Sequence, residues 1–470
     1  MLILSKKIKF ITVIICLFST TFANSRQLPT LHITFSRALN NKTYCYGTMS
    51  LREGNDSINL PAKFKTRGAT ALQYSMKPSL NMKLRDADDN EIDTTLLDIR
   101  NCSSWILDAM AIDRIDMRNR VCMDIWNDMY QLPYNTDFMG RSGTKGRFVE
   151  VYINNTYKGI YCLSDRVNRK LLNLKKPSVS DDLVTIRGVL YKHGTTDYGD
   201  QNTPGFFCDS TVYVARWHDA WELTEPDNYA GMQAWGPLYE YYQNLNDFNY
   251  MESHFDYDNI LHYTLFVMAF SITDNWGNKN QFWSIKNITK SDWTFYITPW
   301  DLDTSLGGHY VGNYYDGNYD RSFTPQTVIK NAVSPFSNFI QNTSFKDNLK
   351  QLWLKYRETV LSIDSVAKRL YDYCSLFENS GAWERQYSYW QTQKYRPLMV
   401  EDLRREVQLV IEWYQDQYAL IDDYFGLTPT SIKGNDTNAI PQEKYYDLMG
   451  RIVKKPQRGI YIINGKAVLR

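Results

Sequence analysis

The chain has no long hydrophobic run, no excess of charge and no C-x-x-C pair, and each absence closes a class of function. Past the N-terminus the apolar stretches, such as Leu265 to Ile272, are short and flanked by polar residues. A bilayer-spanning helix needs about 20 apolar residues in a row, so no transmembrane segment is expected. The formal net charge is only +1. A nucleic-acid binder usually carries a basic excess, so nucleic acid is not an expected partner. Without C-x-x-C spacing a thiolate metal site is not expected either. There is no G-x-G-x-x-G phosphate loop and no internal repeat.

The N-terminus has the three parts of a secretory leader. Lys6, Lys7 and Lys9 precede the short apolar run Phe10 to Phe18, and Thr21-Phe22-Ala23 supplies small residues for cleavage. Residues 1–23 therefore read as a signal peptide, and the mature protein is expected in the periplasm, on the cell surface or in the medium. Cys16 follows the bulky Ile15, which does not suit a lipid anchor. Six cysteines remain after cleavage: Cys45, Cys102, Cys122, Cys162, Cys208 and Cys374. An even number in an exported protein permits disulfides; buried free thiols fit as well.

The pattern of apolar residues predicts an α+β protein. Residues 28–100 alternate at period two in Leu31 to Phe35, Ala62 to Thr66 and Ser79 to Leu84, where Leu80, Met82 and Leu84 share one face. Asp86 to Asn90 makes a polar turn. Ile115 to Tyr130 has helical spacing. Phe148 to Leu163 reads as a hairpin with its turn at Asn154-Asn155. The stretch from about Lys175 to Tyr229 reads as strand-poor. Asp258 to Ile272 reads as a buried helix, Gln281 to Ile285 and Trp293 to Thr298 as strands, and Ser344 to Phe425 as mostly helical. Residues 428–438 form a polar linker. A last segment, 439–470, carries short β-runs around a Lys/Pro/Gly turn and an Asn464-Gly465 turn.

The densest chemistry lies between Asp274 and Gly308. A polar loop with Asp274, Asn278 and Asn280 leads into two strands, and the second runs into Pro299-Trp300-Asp301-Leu302-Asp303. In an extended segment residues two apart point the same way. Asp301 and Asp303 would then face one side while Leu302 packs on the other. Two carboxylates and a neutral amide oxygen converging on one spot suit Mg²⁺, a hard cation that prefers oxygen ligands. An Asp and an Asn in a loop, followed by an Asp after a strand, is also the order used by protein kinases to orient a hydroxyl and hold metal on phosphates. Here the Asp-to-Asn spacing is longer, and no His-Arg precedes Asp274. Asp and Asn are also ordinary turn residues.

A second constellation is basic: Lys65-Thr66-Arg67-Gly68-Ala69-Thr70, then Met76-Lys77-Pro78 and Asn81-Met82-Lys83-Leu84. Cations here would neutralise nucleotide phosphates. Lysine is equally at home on a solvated edge strand.

Taken in order, these segments resemble the spore coat protein H (CotH) kinase family. Arg67-Gly68-Ala69-Thr70 with Lys77-Pro78 to Lys83 looks like its first signature, and Trp105-Ile106-Leu107 with Met117-Arg118-Asn119 its second. Val151 to Asn154 with Gly159 to Leu163 is similar to its hairpin, and Asp274, Asn280 and Pro299 to Gly307 to its fourth motif. The resemblance implies an atypical protein-kinase-like fold, with a β-rich N-lobe at about 28–170 and a predominantly helical C-lobe at about 171–425. It implies an enzyme that moves phosphate from Mg-ATP, or Mn-ATP, to a hydroxyl of a surface or secreted protein. Asp274 would position or deprotonate the acceptor hydroxyl. Asn280 and Asp301 would hold the metal, with Asp303 as a further ligand or support. Lys77 or Lys83 would contact the nucleotide phosphates, Arg67 would support the same site, and Glu150 or Asp165 would orient the lysine. Departures stand at Ala69-Thr70, where members have Asn-Ser, at Met76, where they often have Lys, and at Asp165, where they often have Glu.

The last residues resemble the terminal β-segment of proteins exported by Bacteroidetes, a sorting signal in its full form; a docked terminal hairpin is the plainer reading. Two functions stand side by side: the kinase, and a catalytically inactive kinase scaffold acting as an adhesin or a carbohydrate- or protein-binding module. The second draws on 13 Trp and 35 Tyr, since exposed aromatics stack on sugars. A glycan hydrolase is disfavoured, because Asp301 and Asp303 are too close in sequence to face each other across a sugar. The sequence carries no signal of oligomeric state.

Overall fold

The computed structural model describes residues 27–68, 75–135, 141–180, 183–193, 221–226, 232–276, 280–308 and 321–427, with four short strands between 445 and 469. The expected signal peptide, the 428–438 linker, Ala69, Thr70, Cys208 and Asn278 lie outside the described residues. The chain divides into two compact units, residues 1–421 and 422–470.

Among the described residues nine strands lie between 30 and 165: β1 (Thr30–Phe35), β2 (Cys45–Glu53), β3 (Asp56–Arg67), β4 (Ser79–Leu84), β5 (Thr94–Leu96), β6 (Ile99–Cys102), β7 (Ser104–Asp108), β8 (Gly146–Ile153) and β9 (Thr156–Asp165). Seven of them close into a barrel in the order β1-β2-β3-β4-β7-β9-β8. The resemblance implied a β-rich lobe and the structure is β-rich there, but the sheet is closed. The closure comes from β1, which pairs antiparallel with β2 and parallel with β8. Because side chains alternate across a strand, one set of residues fills the barrel: Leu31, Ile33, Phe64, Leu80, Met82, Leu107, Val151 and Tyr161 are all buried in a single apolar cluster. Fully burying such a side chain contributes roughly 1.5–3 kcal/mol. The intervening residues, Arg67, Ile106, Asp108, Cys162 and Ser164, therefore belong to the outer wall.

Local chemistry sets the connections. The β8–β9 turn falls on Asn154 and Asn155 with φ of 48° and 63°, the left-handed pair that a two-residue hairpin needs and that Asn tolerates. The helix expected from Ile115 starts later, as α1 (Arg118–Met129). Before it, Asp113 accepts hydrogen bonds from the amides of Ile115, Met117 and Arg118, and Asp116 has a φ of 54°. This side-chain–backbone turn competes with helix for those residues.

The expectation of a strand-poor stretch at 175–229 is corrected. Its described parts hold β10 (Ser178–Ser180), β11 (Leu183–Thr185), β12 (Val189–His193) and β13 (Trp221–Glu225). The last two join β14 (Gln281–Ile285) and β15 (Phe295–Pro299) in a sheet of order β13-β12-β14-β15. These strands run only three to five residues, and the sheet that orders β12 and β13 is completed far along the chain by β14 and β15.

Helices make up most of the remainder. In α2 (Tyr257–Phe270) every residue from Asn259 onward is buried; Asp256 caps its start and Ser271, at φ 52°, ends it. Helix α3 (Thr343–Tyr356) packs on it; α4 (Ile363–Asn379) and α5 (Ala382–Trp390) follow in the chain; and α6 (Leu403–Tyr424) meets it where Gln417 donates to the Met268 carbonyl at 2.7 Å. Helix α5 returns to the barrel, where Trp390 donates to the Lys158 carbonyl of β9 at 3.1 Å. Among the described residues no helix is long and apolar enough to cross a membrane. Cys45, Cys102, Cys122, Cys162 and Cys374 are buried free thiols. The second unit contains one antiparallel sheet of Tyr445–Tyr446, Ile452–Val453, Ile460–Ile463 and Lys466–Leu469.

Candidate active site

The loop after α2 and the segment after β15 are built as one piece. Asp274 lies in a single turn of 3-10 helix, Thr273–Asn275. Asn280 donates its side-chain amide to the Asp274 carboxylate at 2.8 Å. The Asn280 carbonyl accepts the Trp300 amide at 3.1 Å and the buried Asn275 amide at 2.9 Å. Asn275 is locked in turn, since its own carbonyl accepts from Gln281 at 2.7 Å and from Tyr263 at 3.0 Å. Trp300 carries Asp301 directly after it, so Asp274, Asn280 and Asp301 share one rigid support.

The Asp301–Asp303 segment is not the extended strand that the alternation argument assumed. Asp301 has a φ of 60° and Asp303 begins a turn. Asp tolerates this left-handed region better than most residues. Leu302 is buried as expected, while Asp301 is exposed and Asp303 half-buried.

The opposite wall comes from the barrel and α1. Asn119, within the Arg-Asn pair at the start of α1, donates to Asp108 at 2.8 Å and accepts the Leu302 amide at 3.3 Å. One side chain thereby fixes the end of β7 against the aspartate segment. Asp108 also accepts from Ser79 at 3.3 Å and from the Met110 amide at 3.1 Å. From the end of β3 the Arg67 guanidinium lies 5.0 Å over the Trp300 ring. Arg67, Ile106, Asp108, Asn119, Arg120, Ser164 and Trp300 line a recess between the two walls.

This cleft concentrates negative charge. Burial, then the charges of Asp301, Asp108, Asp274 and Asp113, pushes the Asp303 carboxyl well above the usual range. Burial also raises Asp301; Arg67 and Lys192 oppose the rise, and Asp108 and Asp274 add to it. Asp301 remains open to water beside these groups. Such a set of oxygen donors, short of compensating cations, fits a divalent hard cation. No three His, Cys, Asp or Glu side chains among the described residues form a protein-only metal cage. Mg²⁺ usually takes only one or two carboxylates and completes its shell with phosphate and water.

The other predicted residues are placed elsewhere. Lys77 is fully buried, with its ammonium 3.2 Å from Asp116 and 2.9 Å from the Gln386 side-chain oxygen. Gln386 also donates to Asp116 at 2.7 Å and accepts the Ile160 amide at 2.7 Å. Burial lowers the Lys77 pKa and raises that of Asp116 to about 7. Lys83 lies at the far end of β4, 3.4 Å from Glu91. Glu150 and Asp165 meet neither lysine. Glu150 takes both arms of the Arg385 guanidinium at 3.0 and 2.7 Å, and Asp165 binds Arg100 at 2.6 Å and Arg141 at 3.1 Å. The acid that meets Lys77 is Asp116, aimed by its left-handed turn.

Sequence reasoning assigned no role to Asp108, Asn119, Asp116, Gln386 or Lys192. Asp108 carried a usable signal, a lone carboxylate directly after the apolar Trp105-Ile106-Leu107. Gln386 carried none, since it lies 309 residues from the lysine it binds.

The family model described as CotH kinase protein matches residues 64–421, which spans the barrel wall, the cleft and the helices behind it. This chain belongs to the CotH kinase family. Comparison with curated proteins finds no match.

Proposed function

We propose that this protein is an exported kinase that transfers a phosphoryl group from a nucleoside triphosphate to a hydroxyl of a surface or secreted protein. The observation that carries this reading is the shared support of Asp274, Asn280 and Asp301: an amide–carboxylate bond of 2.8 Å inside the loop and a 3.1 Å backbone bond from the loop to the segment bearing Asp301. Phosphoryl transfer asks a protein mainly for positioning and charge stabilisation. Asp274, oriented by Asn280, would accept a hydrogen bond from the acceptor hydroxyl and take its proton as the oxygen attacks. Asp301, Asp303 and the Asn280 side-chain oxygen would hold Mg²⁺. The ion, when bound, supplies charge neutralisation on the phosphates. Arg67, fixed over Trp300, adds a cation beside Asp301. Lys77 supports the fold behind the site through Asp116 and Gln386.

The described tryptophans do not favour the adhesin reading, which needs exposed rings; among the described aromatics Tyr46 and Tyr395 are exposed. No described tryptophan is exposed, and Trp105, Trp126, Trp283, Trp353, Trp390 and Trp413 are fully buried. The test is transfer of labelled phosphate from ATP with Mg²⁺ or Mn²⁺ to the protein itself or to a generic acceptor protein. The wild type should transfer, and Asp274→Ala and Asp301→Ala, folded as judged by circular dichroism, should not. Full transfer by Asp301→Ala would overturn the reading.

A further inference from the structure

The site as described lacks a lysine. Lys77 is sealed against Asp116 and Gln386, and Lys83 is at the wrong end of its strand. Phosphoryl-transfer sites generally place a cation on the donor phosphates in addition to the metal. The sheet of the C-terminal part offers one.

Lys192 sits on β12, in register with Phe282 of β14 and, beyond it, Thr298 of β15. Residues directly opposite across paired strands share a face of the sheet, so Lys192 and Phe282 lie on the same side. The Phe282 ring packs edge-on against Trp300 at 5.4 Å, and Arg67 covers Trp300 from the barrel side at 5.0 Å. The order across the floor of the cleft is thus Lys192, Phe282, Trp300, Arg67, with Asp301 attached to Trp300. Among the described residues Lys192 has one ion-pair partner within 4 Å, Glu222. That contact is long, 3.8 Å, with the two side chains 36% and 62% exposed, so solvent screens it and a stronger anion can displace it.

From this arrangement we infer that Lys192, facing Arg67 across Trp300, is the lysine that binds the β- and γ-phosphates of the donor nucleotide. The inference rests on the phosphoryl-transfer reading and deepens it: the phosphate-holding lysine comes from the C-terminal sheet, and the barrel contributes arginine. The electrostatics agree. Burial lowers the Lys192 pKa, Glu222 and Asp301 raise it, and the nearby charges of Arg67 and Arg166 lower it further. Lys192 and Arg67 both act on Asp301 and repel each other, and an incoming polyphosphate would relieve their repulsion. Lys192 is assigned as a binding residue for the donor.

The test is equilibrium binding of fluorescent ATP, ADP and AMP analogues, each with Mg²⁺, to the full chain. For Lys192→Met the ATP analogue should bind about 30-fold more weakly and the ADP analogue about 10-fold, with AMP unchanged. Lys192→Arg should stay within about threefold of wild type, because it keeps the charge. Glu222→Gln, which releases Lys192 from its carboxylate, should tighten the ATP analogue about threefold, and it keeps the inference testable if the methionine variant does not fold. Wild-type binding with ATP affinity unchanged in Lys192→Met, or in Glu222→Gln where only that variant folds, overturns the role of Lys192 and leaves the kinase reading intact. An equal loss for ATP and AMP overturns it too, as that is the mark of a structural defect. A wild type that binds no nucleotide overturns both.

Discussion

Asn280 donates its side-chain amide to the carboxylate of Asp274 at 2.8 Å. The bond joins two residues six positions apart and sets the direction in which the carboxylate faces the cleft. Asn280→Ala would free the carboxylate and remove a donor oxygen for the metal. The expected result is a fall in kcat of roughly 100-fold or more, a higher Mg²⁺ requirement and a small change in Tm. Steady-state kinetics over a Mg²⁺ titration measures it; an unchanged kcat would show that Asp274 needs no such orientation.

Function and stability should oppose each other at Asp303. Its carboxyl is held above the usual range by burial and by the charges of Asp301, Asp108, Asp274 and Asp113. In metal-free protein Asp303→Asn removes one partner from this repulsion. It should raise stability by about 1 kcal/mol in EDTA and weaken metal-dependent nucleotide binding. Loss of stability in EDTA would mean that the carboxylates are compensated in a way the cleft geometry does not contain.

Lys77 is predicted to matter for folding more than for nucleotide. Removing one member of a buried ion pair costs about 3–5 kcal/mol, while replacing both by apolar groups is often neutral. Lys77→Met should therefore destabilise strongly, and Lys77→Met with Asp116→Asn, which removes the charge and keeps a residue that accepts the φ of 54°, should recover most of the loss. Gly159 supports the same network. It has a φ of +95°, and a Cβ there would lie 2.3 Å from the Gln386 side-chain oxygen. Gly159→Ala should displace Gln386 and lower stability by about 2 kcal/mol. Urea unfolding of the four proteins separates these outcomes; a double variant no better than Lys77→Met would refute the pairing.

His193 gives a pH dependence of known sign. It is buried, stacked on Trp221 at 3.9 Å, and neither ring nitrogen has a partner among the described residues. Burial lowers its pKa from 6.5 to about 3. Between those values the unfolded chain binds a proton that the folded chain does not, so its contribution is complete above pH 6.5 and is lost as pH falls. From pH 7 to pH 5 the loss is ~2 kcal/mol. Asp116, pushed up to about 7, shifts stability the opposite way over the same range, so the informative quantity is the difference between wild type and His193→Phe. The variant should lose less stability on acidification; parallel pH profiles would refute the assignment.

The legible parts of this protein were local. Period-two alternation in Ser79 to Leu84 gave β4 within its observed bounds, and the Asn154-Asn155 turn followed from the backbone angles that Asn accepts. The loop carrying Asp274 and Asn280 and the segment carrying Asp301 were legible as neighbours, because two short strands connect them. Barrel closure was not: it depends on β1 meeting β8, a pairing more than 100 residues apart with no mark in either strand. The partners of Lys77, Glu150 and Asp165 were hidden for the same reason, since Asp116, Arg385 and Arg100 are brought in by tertiary packing. Lys192 escaped notice because its neighbours, Glu222 on β13 and Phe282 on β14, are set by tertiary strand pairing.

The most direct test of the account is thermal melting of the full chain with ATP and Mg²⁺ or Mn²⁺, set beside Asp301→Asn. A ligand that binds only the folded state raises Tm. The account predicts a rise for the wild type that requires both nucleotide and metal and is absent in Asp301→Asn. No rise at millimolar nucleotide, or an equal rise in the variant, would contradict it.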